Sequence, residues 1–378
     1  MLRRPLPHFA ILASVLAAAC GGARKENAPG TERVVTAAAL DALPRTVPTD
    51  GGRVCLADGR TLCPLQSAVA NWLAPGQFAL WEPGRQVGVW RGADTLATRI
   101  GDFGLGAGKY VNPAAVGANA AGDVLVVDAQ SDSLLRYDAA GKFLDARPLP
   151  KLYGLTAWGF AGRLPVLQRI AGKDALAPAE LELRILTTAG DSAGRTALRT
   201  SLPWLHLSGS TVSSALPLFP TQPVYAIAED GALVWSSGER IWLRRLAPSG
   251  AVEWTLSSDI KGPAIAPADI AARRKELENS GMPAVDIDSM AARTPSNHAA
   301  VTGLLLSRDG RILVGEAVVP SADSLTYLLL AKDGTPIARL TMGKRVHPLL
   351  LSGDSLLVHR PTEGEPWEIR WLLFAKAH

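Results

Sequence analysis

Asp123-Val-Leu-Val-Val-Asp128, Ser133-Leu-Leu-Arg-Tyr-Asp138 and Phe143-Leu-Asp-Ala-Arg-Pro-Leu149 are three short runs rich in residues that favour strands. Ala121-Gly122 stands before the first and Ala140-Gly141 between the second and third, each a turn signal. Ala114-Ala-Val-Gly-Ala-Asn119 precedes them and supplies a fourth run. The expectation is a four-stranded antiparallel meander with Ala114–Asn119 innermost.

The same grammar recurs twice. Val224-Tyr-Ala-Ile-Ala-Glu-Asp-Gly231 leads to Ala232-Leu-Val-Trp235, Arg240-Ile-Trp-Leu-Arg-Arg-Leu246 and, past Pro248-Ser-Gly250, Ala251-Val-Glu-Trp-Thr-Leu256. Gly303-Leu-Leu-Leu-Ser-Arg-Asp-Gly310 leads to Arg311-Ile-Leu-Val-Gly315, Thr326-Tyr-Leu-Leu-Leu330 and, past Lys332-Asp-Gly334, Pro336-Ile-Ala-Arg-Leu340. A four-strand unit of about 40 residues is the period of a propeller blade. Weaker units fill Gln77–Ile100 and Gly154–Thr200. The last unit, from Leu349 to Phe374, has three strands, so a fourth must come from elsewhere. Residues 53–65 are the natural donor, because a closed ring leaves the fewest bare edges. The expected fold is all-β: a six-bladed β-propeller over residues 51–378, closed by an N-terminal strand and interrupted by an insertion at 257–298.

Ile100-Gly-Asp-Phe-Gly-Leu-Gly-Ala-Gly-Lys-Tyr-Val-Asn-Pro113, followed by the 121–128 unit, resembles an NHL-type repeat. It is similar to bacterial six-bladed propellers whose blades are joined by a glycine-rich turn, an aromatic and a proline. It departs from the commonest form at Ala107 and Lys109, where Pro and Glu are frequent. The resemblance covers 100–145 and is looser at 224–256 and 303–342. It implies the fold; because such propellers include scaffolds, sensors and enzymes, it implies no single activity.

Arg3 and Arg4 precede an apolar run, Phe9 to Ala19, broken only by Ser14 and followed by Cys20-Gly21-Gly22. The run is too short to span a bilayer and has the length of a secretory h-region. With Cys20 directly after Ala17-Ala-Ala19, it resembles a bacterial lipoprotein signal. That resemblance implies removal of residues 1–19 and a diacylglycerol on the Cys20 thiol. An ordinary secreted protein is the alternative. Residues 20–50 then read as a flexible tether, dispensable for folding. The expected address is the cell envelope, membrane-anchored through lipid only, at an outer membrane facing the periplasm or the cell surface.

With Cys20 assigned, Cys55 and Cys63 remain, and an even pair in an oxidising compartment predicts a disulfide. Asp58-Gly59 between them is a strong turn signal. Zinc is the sharper alternative, but no His follows within reach of a four-ligand site.

Composition excludes whole classes. The 378 residues are 47% apolar and 20% charged, enough for a large core and unlike a disordered chain. The net charge of +4 is spread along the sequence, so nothing asks for nucleic acid. The 101–108 glycines fail both the Walker and the dinucleotide fingerprints. Asp123, Asp128, Asp132 and Asp138 lack calcium-loop spacing and read as turn formers. A channel calcium would have to draw on residues such as Asn112, Asn119, Glu229, Asn297 and Glu316. His206, His298, His347, His359 and His378 show no ligand spacing, and no Gly-x-Ser-x-Gly elbow exists. Trp81, Trp90, Trp235, Trp242 and Trp254 read as inter-blade packing, with sugar stacking as the alternative.

Within 257–298, Asp269 to Gly281 predicts one helix of about three turns with Ile270 and Leu277 on one face. It reads as a rim elaboration or, more sharply, as a lid over the channel mouth. The functional expectation is a non-catalytic scaffold that binds an envelope protein or a small ligand and holds no cofactor. The alternative is a hydrolase or lactonase with a metal in the channel.

Overall fold

The strand-forming runs bounded by Gly and Asp-Gly turns fold as antiparallel meanders in a computed structural model. It describes residues 30–374 apart from 57–62, 65–66, 83, 93–94, 150–153, 156–162, 171–179, 188–194, 202–204, 207–213, 320–321 and 363–365. The chain begins with β1 (Thr31–Val34), α1 (Ala37–Asp41), β2 (Arg45–Thr46) and β3 (Thr49–Leu56). A first meander follows: β4 (Val69–Ala74), β5 (Gln77–Trp81), β6 (Val87–Arg91) and β7 (Thr95–Ile100). A short parallel pair, β8 (Asp102–Phe103) and β9 (Lys109–Tyr110), joins it to β10 (Pro113–Ala118), β11 (Val124–Asp128), β12 (Ser133–Tyr137) and β13 (Phe143–Pro148).

Next come β14 (Gly154–Leu155), β15 (Arg163–Ile170), β16 (Glu180–Thr187) and β17 (Arg195–Ser201), then the short pair β18 (Leu205–His206) and β19 (Ser214–Ala215). β20 (Val224–Ile227), β21 (Leu233–Ser236), β22 (Leu243–Leu246) and β23 (Val252–Ser257) make the following meander. After α2 (Pro267–Asn279) and α3 (Ala284–Ala292) come β24 (Val301–Leu306), β25 (Ile312–Glu316), β26 (Ser324–Leu330) and β27 (Pro336–Gly343). β28 (His347–Ser352), β29 (Ser355–Pro361) and β30 (Trp367–Leu373) form a sheet with β3 at its outer edge.

This is a β-propeller. The innermost strands β20, β24, β28, β4 and β10 are neighbours in that order. Apolar side chains fill the joints between blades: Trp81, Val87, Ile100, Tyr110, Val126 and Tyr137 in one, and Leu313, Leu329, Leu340, Leu351, Leu356 and Val358 in another. The described side chains establish five blades where the sequence led to six. Of the remaining four-stranded sheet, β14–β17, most side chains lie outside the described residues. Leu183 and Ile185 on its β16 pack against Tyr225, Ile227 and Leu233, and Leu186 joins Ala115, Leu125 and Val127.

The polar residues obey the same repeat. Arg136 on β12 pairs with Asp123 and Asp145, and Arg245 on β22 pairs with Asp230 and Glu253. Each arginine spans its blade from the turn before the second strand to the outer strand. Arg245 is nearly fully buried, so it depends on both partners for compensation.

Closure uses the N-terminus, as expected. β3 pairs antiparallel with β30, from Thr49 opposite Leu373 to Leu56 opposite Glu368. The donor begins earlier than residue 53, and only its end overlaps the cysteine hairpin. Cys55 and Cys63 are bonded, with Cα atoms 5.7 Å apart, while the expected Asp58-Gly59 turn lies outside the described residues.

The tether of residues 20–50 requires correction. From Thr31 on, the chain is strapped to the ring. β1 pairs parallel with β23, and β2 pairs parallel with β27. Between them Leu40 is buried in the largest core cluster, 1% exposed, and Arg339 bonds Asp41 at 2.7 Å. A strand of two or four residues added in parallel to an edge has too few positions for a period, so composition alone reads as a linker.

The insertion also differs. It holds two helices, because Gly281 (φ +83°) and Pro283 end α2 and the chain re-enters a helix at Ala284. α2 starts at Pro267, and the Asp269 carboxylate accepts the Ala266 N–H at 3.2 Å. Ile270 and Leu277 do share a face: they meet Leu218, Phe219, Met282 and Met290 in a small separate core.

The strap makes a stability prediction. Leu40→Ala should cost about 3 kcal/mol, the usual range for a buried leucine. A chain beginning at residue 48 should melt below the full chain, and one beginning at residue 67 should aggregate because the β30 edge is bared. Identical melting of the full chain and the residue-48 chain would show that the strap contributes nothing.

Candidate functional site

Antiparallel meanders sort every connection to one of two faces. The hairpins after the innermost strands (75–76, 119–122, 228–231, 307–310) share a face with the outer hairpins at 138–141, 247–250 and 331–334. The blade-to-blade connections, including 101–112, 258–300 and 344–346, lie at the opposite face.

The hairpin face holds a cavity of about 280 Å³ where the innermost strands of four blades end. Trp72, Leu73, Ala74 and Pro75 form one wall, and Ala118, Asn119, Ala120 and Gly122 another. Glu229 and Arg308 complete it from two adjacent blades and are bonded to each other. Trp72 is anchored in the core beside the cavity: its indole N–H donates to the Leu351 carbonyl at 3.3 Å, and its ring stacks on Trp371 with centroids 6.2 Å apart. Asn119 is consumed by its own turn. Its amide donates to Asp123 at 2.9 Å, and its carbonyl oxygen accepts Ala121 N–H at 3.0 Å and Asp123 N–H at 2.9 Å. The cavity is thus lined in equal parts by polar and apolar surface, with one fixed ion pair in its wall, a geometry for binding.

The opposite face carries polar groups at the ends of second strands. Asp128, 2% exposed, accepts Val111, Asn112 and Gln130 N–H and the Ser131 hydroxyl, at 2.8 to 3.3 Å. It ties the incoming connection to its blade, as a turn former should. Glu82 accepts the Ser67 N–H at 3.2 Å and pairs with Arg85. Glu316 pairs with Arg339 at 3.0 Å; burial raises its carboxyl above the usual range, and Arg339 works against that shift.

His347 and His359 stand opposite each other on β28 and β29, and both contact the Trp367 ring, with centroids at 5.7 and 4.4 Å. Burial, then neighbouring His347, pushes His359 down to about 4, against the pull of Glu82 and a Pro64 backbone hydrogen bond. His298 sits by the helices, 3.3 Å from Asp269 and edge-on to Phe219.

Of the five residues considered for a channel ion, the structure brings only Asn119 and Glu229 to one cavity. Asn112 sits in a connection with its N–H on Asp128, Asn297 donates to Gly262 O at 2.8 Å, and Glu316 serves its own blade. Among the described residues, no three His, Cys, Asp or Glu side chains gather as metal ligands. The His206 side chain, His378 and Cys20 lie outside the described residues.

The glycines of 101–108 build a connection. The Tyr110 hydroxyl donates to Ile100 O at 2.5 Å and accepts Val87 N–H at 2.8 Å; Gly101, at φ +59°, leaves no room for a Cβ beside Tyr110 and Tyr137. Trp81 donates to Pro113 O at 2.7 Å, Trp254 donates to Lys332 O at 3.0 Å, and Trp90 lies in the core. Trp235 and Trp242 meet edge-to-face at 4.8 Å with Arg244 over Trp242. The helices do not cover the cavity. They enter at the N-terminal end of β24, whereas Arg308 follows its C-terminal end, six residues and about 20 Å away.

Sequence reasoning missed Trp72 and Arg308. Trp72 lies on β4, a strand hidden because Val69-Ala-Asn-Trp-Leu-Ala74 mixes apolar and polar residues without alternation. Arg308 sits in an ordinary Asp-Gly turn, and only the ring brings it to Glu229.

No protein-family model matches the chain, and no curated protein does. Solved structures do. A protein of Bacteroides fragilis named as exported is 11% identical with a TM-score of 0.54, over 91% of this chain and 99% of its own. A DUF4221 family member from Bacteroides vulgatus is 11% identical with a TM-score of 0.47, over 88% and 97%. Streptogramin B lyase is 13% identical with a TM-score of 0.37, over 81% and 83%. At 11% identity the likeness to the Bacteroides fragilis protein, with its TM-score of 0.54, shows the fold alone.

The histidine face sets a pH dependence. A folded His359 that resists protonation contributes stability in full above the free-histidine value of 6.5, and loses it as pH falls from there toward 4. Carboxylates held below their usual 3.8, including Asp309 beside Ser307 and Arg311, lose their share at lower pH still. The Tm should therefore decline between pH 6.5 and 4, and His359→Phe, which keeps a ring on Trp367, should flatten that decline. Parallel curves for the two proteins would contradict it.

Proposed function

We propose that this protein is a lipid-anchored β-propeller of the bacterial cell envelope that binds a small ligand or a protein segment in the hairpin-face cavity without catalysing a reaction. One observation carries the reading: the cavity is built by four blades, and its charged groups, Glu229 and Arg308, are bonded to each other. A general base needs a proton within reach and a nucleophile needs a base beside it. Here the carboxylate is engaged by a guanidinium, and the remaining side chains of the lining are apolar or the turn-bound Asn119. A concavity built by four blades with one ion pair in its wall suits recognition.

The ring we propose has six blades. Support for the sixth comes from β16, whose Leu183 and Ile185 face one neighbouring blade while Leu186 meets the other. The envelope address rests on the Arg3–Cys20 signal and the Cys55–Cys63 disulfide, which suits an oxidising compartment. The proposed anchor is a lipid on Cys20.

Two measurements test this. Metabolic labelling with a radioactive fatty acid should mark the wild type and not Cys20→Ser; equal labelling or equal membrane retention would remove the anchor. A thermal-shift screen of small molecules and peptides should yield ligands that stabilise the wild type by about 2.7 kcal/mol at a hundredfold excess over Kd. Arg308→Met with Glu229→Gln should abolish that gain. Turnover of esters or lactones with stoichiometric calcium would overturn the non-catalytic reading, as would ligands that act equally on the variant.

A further inference from the structure

The N-terminal strap determines which face of the ring the anchor leaves. Within the β20–β23 blade, β23 starts from the 247–250 hairpin, at the same end as the 228–231 turn that carries Glu229. β1 runs parallel to β23, with Thr31 opposite Trp254 and Val34 opposite Ser257. Its N-terminal end therefore lies at the hairpin face. Gly30 confirms the placement, because its backbone abuts Val252 and Glu253 so closely that a Cβ would fall 2.5 Å from the Val252 oxygen.

The strap is held along its length. Val35 N–H donates to Ser257 O at 2.9 Å, Arg33 bonds the Asp333 carbonyl at 2.6 Å and carboxylate at 2.9 Å, and Leu40 is buried. The chain is thus held to the ring from Gly30 on. Ten residues from Cys20 to Gly30 reach at most about 35 Å, against about 100 Å were the chain free to residue 50.

We propose that the hairpin face, with its cavity, is held toward the membrane surface, and that the face bearing α2 and α3 points away. This rests on the lipid-anchor reading. The bilayer is the occupant in front of the hairpin face, placed there by the short tether. The tether is the cause proposed: on that face Lys332, Arg33 and Arg311 are paired with Asp230, Asp333 and Asp354, while Arg91 and Lys142 are exposed. The cavity then opens into a zone no deeper than the tether allows.

The test uses the full chain, purified from bacterial membranes with its lipid and placed in phosphatidylcholine vesicles that carry nitroxide headgroups. Fluorophores are attached at Ala120→Cys on the hairpin face or Lys275→Cys on α2, both exposed positions. Quenching should be several-fold stronger at residue 120 in these neutral vesicles. Inserting about thirty Gly/Ser residues after Gly22 should erase most of the difference, as the reach lengthens to about 140 Å. Equal or reversed quenching on a chain whose lipid is confirmed by mass would overturn the orientation alone. Absence of the lipid would remove the anchor reading and the orientation together. Bias that survives the long linker would overturn the tether as its cause.

Discussion

The pairing of Thr49–Leu56 with Trp367–Leu373 is the constraint on which the rest of the ring depends. It joins residues some 320 positions apart, with Asp50 bonded to Arg370 across it. Three strands of the last blade come from the C-terminus and one from the N-terminus, so neither end can leave without baring an edge of unpaired backbone groups. The disulfide fastens the far end of β3 by linking Cys55 to Cys63, and both sulfurs lie in the largest core cluster with Trp72, Phe78 and Ile369. Upstream of β3 the strap extends the same device. Parallel additions at β23 and β27 cover the outer edges of the two preceding blades.

Closure also sorts the chemistry. Each innermost strand delivers its following hairpin to one mouth of the channel, so residues far apart in sequence, such as Trp72, Glu229 and Arg308, meet around a single cavity. At the other mouth, Glu82, Asp128, Glu316 and His359 each answer to groups in or next to their own blade. Those polar groups hold connections in place. The cavity is where the ring has a concavity of mixed lining with an ion pair in its wall.

Much of this was legible in the residues. The meanders at 114–149, 224–256 and 303–340 fold as read, because their turns carry Gly at positive φ, as at Gly141, Gly231 and Gly334, and their strands carry β-branched or leucine-rich runs. The Cys55–Cys63 bond and the N-terminal donor were also legible. The strap was not, since β1 and β2 are too short to show a period and gain their stability from edges made by residues 252–257 and 339–340. The second helix was hidden because the Gly281 and Pro283 stop signals were read as the end of helical structure altogether. The cavity could not be read at all. Asn119 and Glu229 were among the residues considered for the channel, but Trp72 and Arg308 acquire their role only from the ring's closure.

Native-state hydrogen exchange of the intact protein bears most directly on closure by the N-terminal segment. The amides of residues 54–56 are expected to exchange as slowly as those of β30, because both sides of the seam open only when the ring opens. Rapid exchange throughout residues 31–56, beside full protection of residues 367–373, would contradict the account and leave the last blade closed by some other means.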